Sequence, residues 1–161
     1  MAVDMYIDMG ADIKGESKDK DQKDNIDVLA WSWGMSQSGS FHVGGGGGAG
    51  RANIQDFSFT KYIDKASPAL QQHCAGGTHI DTVTFLMRKA GKTPQKYVEI
   101  TLDKVIVTAV STGGSGGEER LTENITLNFA KVTYEYFLQK DDGTTASGGK
   151  YTYDIEAHAE A

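Results

Sequence analysis

The chain has 161 residues, with 16 basic and 22 acidic side chains and a net charge of -6. That length holds one domain or at most two small ones and is enough for a core without covalent staples. The acidic balance makes nucleic acid and anionic membrane poor partners, and a single cysteine, Cys74, rules out an internal disulfide.

No run approaches the roughly 18 apolar residues of a membrane span. The start, Met1-Ala-Val-Asp-Met-Tyr-Ile-Asp8, has neither the basic nor the apolar stretch of a secretory leader. The expectation is a protein made in the cytoplasm that leaves, if it leaves, without a cleaved signal peptide. Twenty glycines against two prolines point to a β protein with many loops.

In chain order, residues 3–7 read as a short first strand, and the charged, aperiodic residues 12–25 as a solvated loop. Residues 26–37 read as a strand carrying Trp31 and Trp33. Alternation places Leu29, Trp31, Trp33 and Met35 on one face, and Ile26, Val28 and Ala30 on the other. A strand apolar on both faces is buried twice, or buried once and covered by a second subunit. Residues 38–50 form a glycine-rich excursion, and residues 54–60 a strand with Phe57 and Phe59 on one face.

One helix is predicted. Ser67 suits the N-cap, Pro68 the first turn, and Gly76-Gly77 a left-handed stop; Leu70 and Cys74 make its apolar stripe. Strands follow at 80–89 and 97–110, then a long one at 121–138. In the last, Ile125, Leu127 and Phe129 occupy odd positions, while Val132, Tyr134, Tyr136 and Leu138 occupy even ones. Such a slip near Ala130-Lys131 predicts a β-bulge at a barrel corner. Residues 139–149 form a polar turn, and Tyr151, Tyr153 and Ile155 mark the last strand. The fold class is mainly β: a closed or nearly closed antiparallel barrel or sandwich with one short helix.

Several motifs suggest chemistry and lack its context. Gly45-x-Gly47-x-x-Gly50 matches a dinucleotide fingerprint, but a strand follows where that motif needs a helix. Ser115 lies in a nucleophile-elbow pattern with Asp154 and His158 downstream, yet it too leads into a strand. Asp19, Asp21, Asp24 and Asp27 lack the spacing of a calcium loop. The histidines at 42, 73, 79 and 158 lack zinc-ligand spacing. These patterns predict no catalytic, cofactor or metal residue.

Six segments occur in order: Gly15-Glu-Ser-Lys-Asp19, Val28-Leu-Ala-Trp-Ser-Trp-Gly34, the glycine-rich loop, Phe59-Thr-Lys-Tyr-Ile-Asp-Lys-Ala-Ser-Pro-Ala-Leu70, Met87-Arg-Lys-Ala-Gly91 and Ser111-Thr-Gly-Gly-Ser-Gly-Gly-Glu118. Together they resemble the haemolysin co-regulated protein (Hcp) family of the bacterial type VI secretion system. The resemblance spans essentially the whole chain, least clearly after Gln139. It implies one barrel domain of two sheets over residues 1–161, with the loop at about 38–50 extended from it. It further implies a hexameric ring that stacks into the inner tube of a contractile injector, capped by a spike protein and surrounded by a sheath. Effectors ride in the channel, and the protein is itself expelled. On that reading Ser115 is the candidate channel contact. Trp31, Trp33, Phe41, Val43, Gly46 and Gly48 are the candidate subunit interface. A carbohydrate- or peptide-binding barrel is the alternative.

Overall fold

The computed structural model describes residues 2–39, 41 and 49–160. The strands are β1 (Val3–Asp8), β2 (Ile26–Asp27), β3 (Ala30–Ser32), β4 (Met35–Gly39), β5 (Ala49–Ile54), β6 (Phe57–Tyr62), β7 (His79–Lys89), β8 (Gln95–Thr112), β9 (Thr122–Gln139), β10 (Thr145–Asp154) and β11 (Ala159–Glu160). One helix, α1 (Ala66–Gly76), lies between β6 and β7.

Nine strands form one antiparallel sheet, and β4 and β5 form a separate two-stranded hairpin. The main sheet runs β11-β10-β9-β8-β7-β1-β2, with β6 branching from β9 and β3 pairing β6. The mainly β, one-helix class expected from sequence holds. The closed barrel does not, because among the described residues no continuous ladder joins the ends. The circuit is bridged only by the chain itself: Val28 N–H donates to the Met5 carbonyl, and Leu29 N–H to that of Thr60.

That switch of partner breaks the expected strand at 26–37 into three pieces. Residues 26–27 pair with β1, residues 30–32 with β6 and residues 35–39 with β5. Ile26 and Val28 are buried on even positions, while Trp31 and Trp33 turn inward on odd ones. The doubly apolar pattern is therefore a phase slip at Leu29-Ala30. Leu29 and Met35, expected beside the tryptophans, remain exposed.

The slip expected at Ala130-Lys131 is present, but not as a bulge in one strand. Ile80, Val105 and Phe129 form one buried cross-strand row, and Val83, Leu102 and Val132 the next. Each strand spends one extra residue between these rows, Asp81, Lys104 and Ala130, so the register across the three strands is kept. The sheet creases along that line. Lys104 takes up the turn with φ 54°, a left-handed conformation rare for a lysine. The register irregularity between β8 and β9 lies elsewhere, between Val107 and Ala109.

The core is aromatic at its centre. The Trp31 ring lies 4.9 Å from that of Phe85 and 5.9 Å from that of Phe57. Around them Ile7, Leu70, Ile100, Leu102, Ile125 and Leu127 are fully buried. The charged loop after β1 is not simply solvated. Met9, Ile13 and Ser17 are buried, and the Arg88 guanidinium grips Asp19 with both nitrogens, at 3.2 and 2.6 Å. The loop thereby covers Tyr6, Leu86 and Arg88 on the outer side of β1 and β7.

Helix α1 begins two residues earlier than expected, with Lys65 at the N-cap position in place of Ser67. Asp64 rather than Ser67 serves its first turn, accepting the Ala66 N–H at 2.9 Å, while Asp64 N–H donates to Ser67 Oγ at 3.0 Å. The left-handed stop falls at Gly77 as expected, its N–H donating to the His73 carbonyl. Ser67 is drawn into a buried ionic cluster. Lys61 and Glu123 face each other across β6 and β9, both side chains fully buried and in direct contact. Ser67 Oγ donates to Glu123 Oε1 at 2.6 Å, and Lys61 Nζ also meets Asp64 at 2.9 Å. Breaking such a pair leaves an uncompensated charge in the core. Lys61→Met is expected to lower stability by about 3–5 kcal/mol, and Lys61→Met with Glu123→Leu to recover most of that loss. Urea unfolding midpoints of the two variants measure the difference.

Candidate functional site

The residues singled out from sequence fall in three places. Trp31 and Trp33 are half-buried and packed on the core, with the Trp33 ring 6.2 Å from that of Tyr134. The indole N–H of Trp33 is buried with no hydrogen-bond acceptor among the described residues. Phe41 is 83% exposed beyond the end of β4. Val43, Gly46 and Gly48 lie outside the described residues.

The glycine-rich excursion is framed by the β4–β5 hairpin, which brings strand pairing out to Gly39 and Ala49. The arm has a physical origin in strand competition. β9 carries β8 along one edge. Its other edge is taken by β6 from Thr122 to Leu127 and by β10 from Lys131 to Gln139. The chain before Phe57 does not continue along this edge of β9, which β10 takes from Lys131 onward, and it leaves the sheet. Ala52, Ile54 and Trp33 pack its base on the core, while all five residues of β4 are exposed.

Ser115 occupies the exposed turn between β8 and β9 and accepts the Glu118 N–H through its carbonyl at 3.3 Å. The turn rests on Leu121, whose exposed side chain would have to move aside for a side chain at position 114. The shallow cavity at the turn is lined by Ser111, Thr112, Glu118, Thr122 and Asn124 besides the turn itself. Asp154 pairs with Lys131, eight strand residues from Glu123 at the turn's end, a separation of roughly 26 Å. The elbow-like motif therefore assembles no triad. His73 Nδ1 lies 2.8 Å from the Ala69 carbonyl of its own helix. Among the described residues no group of three or more His, Cys, Asp or Glu side chains is placed to hold a metal. Gly50, the last glycine of the nucleotide-like motif, lies within strand β5.

Sequence reasoning missed the two buried ionic sites. Alternation offered a signal for one: Lys61 shares the face of Phe57 and Phe59, and Glu123 that of Ile125 and Leu127. The Arg88–Asp19 contact spans 69 residues and has no local signature. Arg88 also donates to the Tyr6 hydroxyl at 3.2 Å, and its guanidinium carbon stands 4.9 Å from the centre of that ring.

The hydrogen bond from Arg88 holds the Asp19 carboxyl below its ordinary pKa. Its contribution to stability is present above the unfolded value of about 3.9 and is lost as pH falls through the folded one. Asp19→Asn is thus expected to be less stable than the parent at pH 7, with the gap narrowing below about pH 4. Urea titrations of both proteins at pH 7 and pH 3 check the sign.

The described chain is a creased antiparallel sheet with one lateral helix and a projecting hairpin, which makes it a mainly β protein. The family described as "Type VI secretion system effector, Hcp" matches residues 6–136. Protein hcp1 of Pseudomonas aeruginosa is 58% identical over 163 aligned positions, covering the full length of both chains. The crystal structure of Hcp1 from Salmonella typhimurium is similar with a TM-score of 0.79 and 34% identity over all of both chains. That of a type VI secretion system effector from Yersinia pestis gives a TM-score of 0.75 and 37% identity, covering 94% of this chain and all of the other. The chain belongs to the Hcp family of the type VI secretion system.

Proposed function

We propose that this chain is the structural subunit of a type VI inner tube. Six copies close into a ring, rings stack, and the stack is expelled with effectors in its channel. The spike protein and the contractile sheath are its partners within the machine. It acts from the cytoplasm and ends outside the cell. It is not an enzyme and uses no cofactor.

The observation that carries this reading, beside family membership, is the β4–β5 arm. A two-stranded hairpin is at best marginally stable alone, and this one reaches beyond its own core. A neighbouring copy supplies the missing cover. Phe41, Val43, Gly46 and Gly48 belong to that contact, and Trp31 and Trp33 set the arm's base. Arm and receiving surface are different patches of one chain, so the contact is head-to-tail and either closes into a ring or propagates.

Light scattering behind a sizing column is expected to give about six times the 17.4 kDa chain mass. A clean monomer at micromolar concentration contradicts the ring. Shortening the arm at its tip is expected to weaken assembly and leave the β signal in circular dichroism unchanged.

Ser115 is our candidate effector contact, a small hydroxyl on a glycine turn that leaves room for another backbone to approach closely. Serine-directed phosphonate probes are expected to leave the protein unlabelled. Stoichiometric labelling that Ser115→Ala abolishes would overturn the non-catalytic reading.

A further inference from the structure

The crease does more than turn the sheet. Along it opens a groove of about 310 Å3 with Val105, Phe129, Ala130 and Ile155 in its lining. Lys104 and Glu156 pair across its rim at 3.4 Å, both largely exposed. Ile106 adds to its apolar lining, and His79, Lys104, Asn128 and Glu156 complete it. The turn after β10 forms one wall, its Ile155 N–H donating to the Ala130 carbonyl at 2.8 Å.

The charges on the arm and on this wall are opposite. From Val28 to Gln55 the only formal charge is Arg51. It is exposed on β5 and has no ion-pair partner among the described residues. The stretch from Tyr151 to Glu160 carries Asp154, Glu156 and Glu160 and no lysine or arginine. The arm also presents Phe41, the most exposed large apolar side chain of the described residues. An aromatic side chain entering an apolar pocket, with a charge pair at its rim, is the anatomy of an interface anchor.

We propose that the arm of one copy docks in the crease groove of a second copy. Phe41 enters beside Ile155, and Arg51 meets the acidic wall at Glu156. This rests on the tube-subunit reading and names the receiving surface for it. Because Lys104 and Glu156 are exposed, reversing Glu156 leaves the fold intact while changing what the arm encounters.

The test is a charge-swap cycle read by sedimentation velocity across a protein dilution series at low salt. Arg51→Glu and Glu156→Arg are each expected to raise the concentration for half-assembly about three- to tenfold, and the double variant to return within about twofold of the parent. Phe41→Ser is expected to weaken assembly about tenfold and equally at low and high salt. Circular dichroism of each variant shows that it is folded. Single variants that assemble like the parent, or a double variant with no rescue, overturn the docking site. A parent that is itself monomeric defeats the tube-subunit reading instead.

Discussion

One strand edge organises this protein. β9 gives one side to β8 throughout, and its other side must serve both β6 and β10. An edge position forms only one ladder, so wherever one strand is bonded the other is excluded. Between the two tenancies Asn128 to Ala130 remain, where the Ala130 carbonyl accepts the Ile155 N–H at 2.8 Å and the Asn128 side-chain amide donates to the Asp56 carboxylate at 2.9 Å. The segment preceding Phe57 therefore leaves the sheet as a hairpin. The feature on which assembly is proposed to depend is in this sense a by-product of how the main sheet fills itself.

The crease is the second feature that shapes the sheet. β7, β8 and β9 bend together because each spends an extra residue at one level, which avoids the one-sided bulge that would break their pairing. The bend brings the turn after β10 beside the exposed backbone of β9 and opens the groove there. Lys104 carries the backbone strain of that geometry, at a position where its side chain stays in solvent.

Much of this was legible in the sequence, and the failures are instructive. The alternation of Ile125, Leu127 and Phe129 against Val132 gave the slip correctly, because burial is a property of single residues. Its cause was not legible, since a bulge and a shared crease leave the same trace in one strand and differ only in what the neighbours do. The tryptophan run misled for a related reason. Residues apolar on both faces read as double burial, whereas a change of pairing partner at Val28-Leu29 exchanged one face for the other. The glycine stop of the helix was local chemistry and was read correctly at Gly77. Its start was not, because Ser67 is claimed by Glu123, 56 residues away. Of the candidate site, the exposure of Phe41 and of the Ser115 turn is as a loop reading expects. The groove was invisible, since it is built by three strands and a C-terminal turn that no single window contains.

The central claim is that the β4–β5 arm, beyond its base, is uncovered among the described residues and gains its cover from another copy. Amide hydrogen exchange resolved by segment addresses it directly, comparing dilute and concentrated protein. The account expects Met35–Gly39 and Ala49–Ile54 to exchange rapidly at dilution and to become protected on assembly, while the β6–β9 ladder stays protected in both. Equal protection of the arm in both conditions would contradict it.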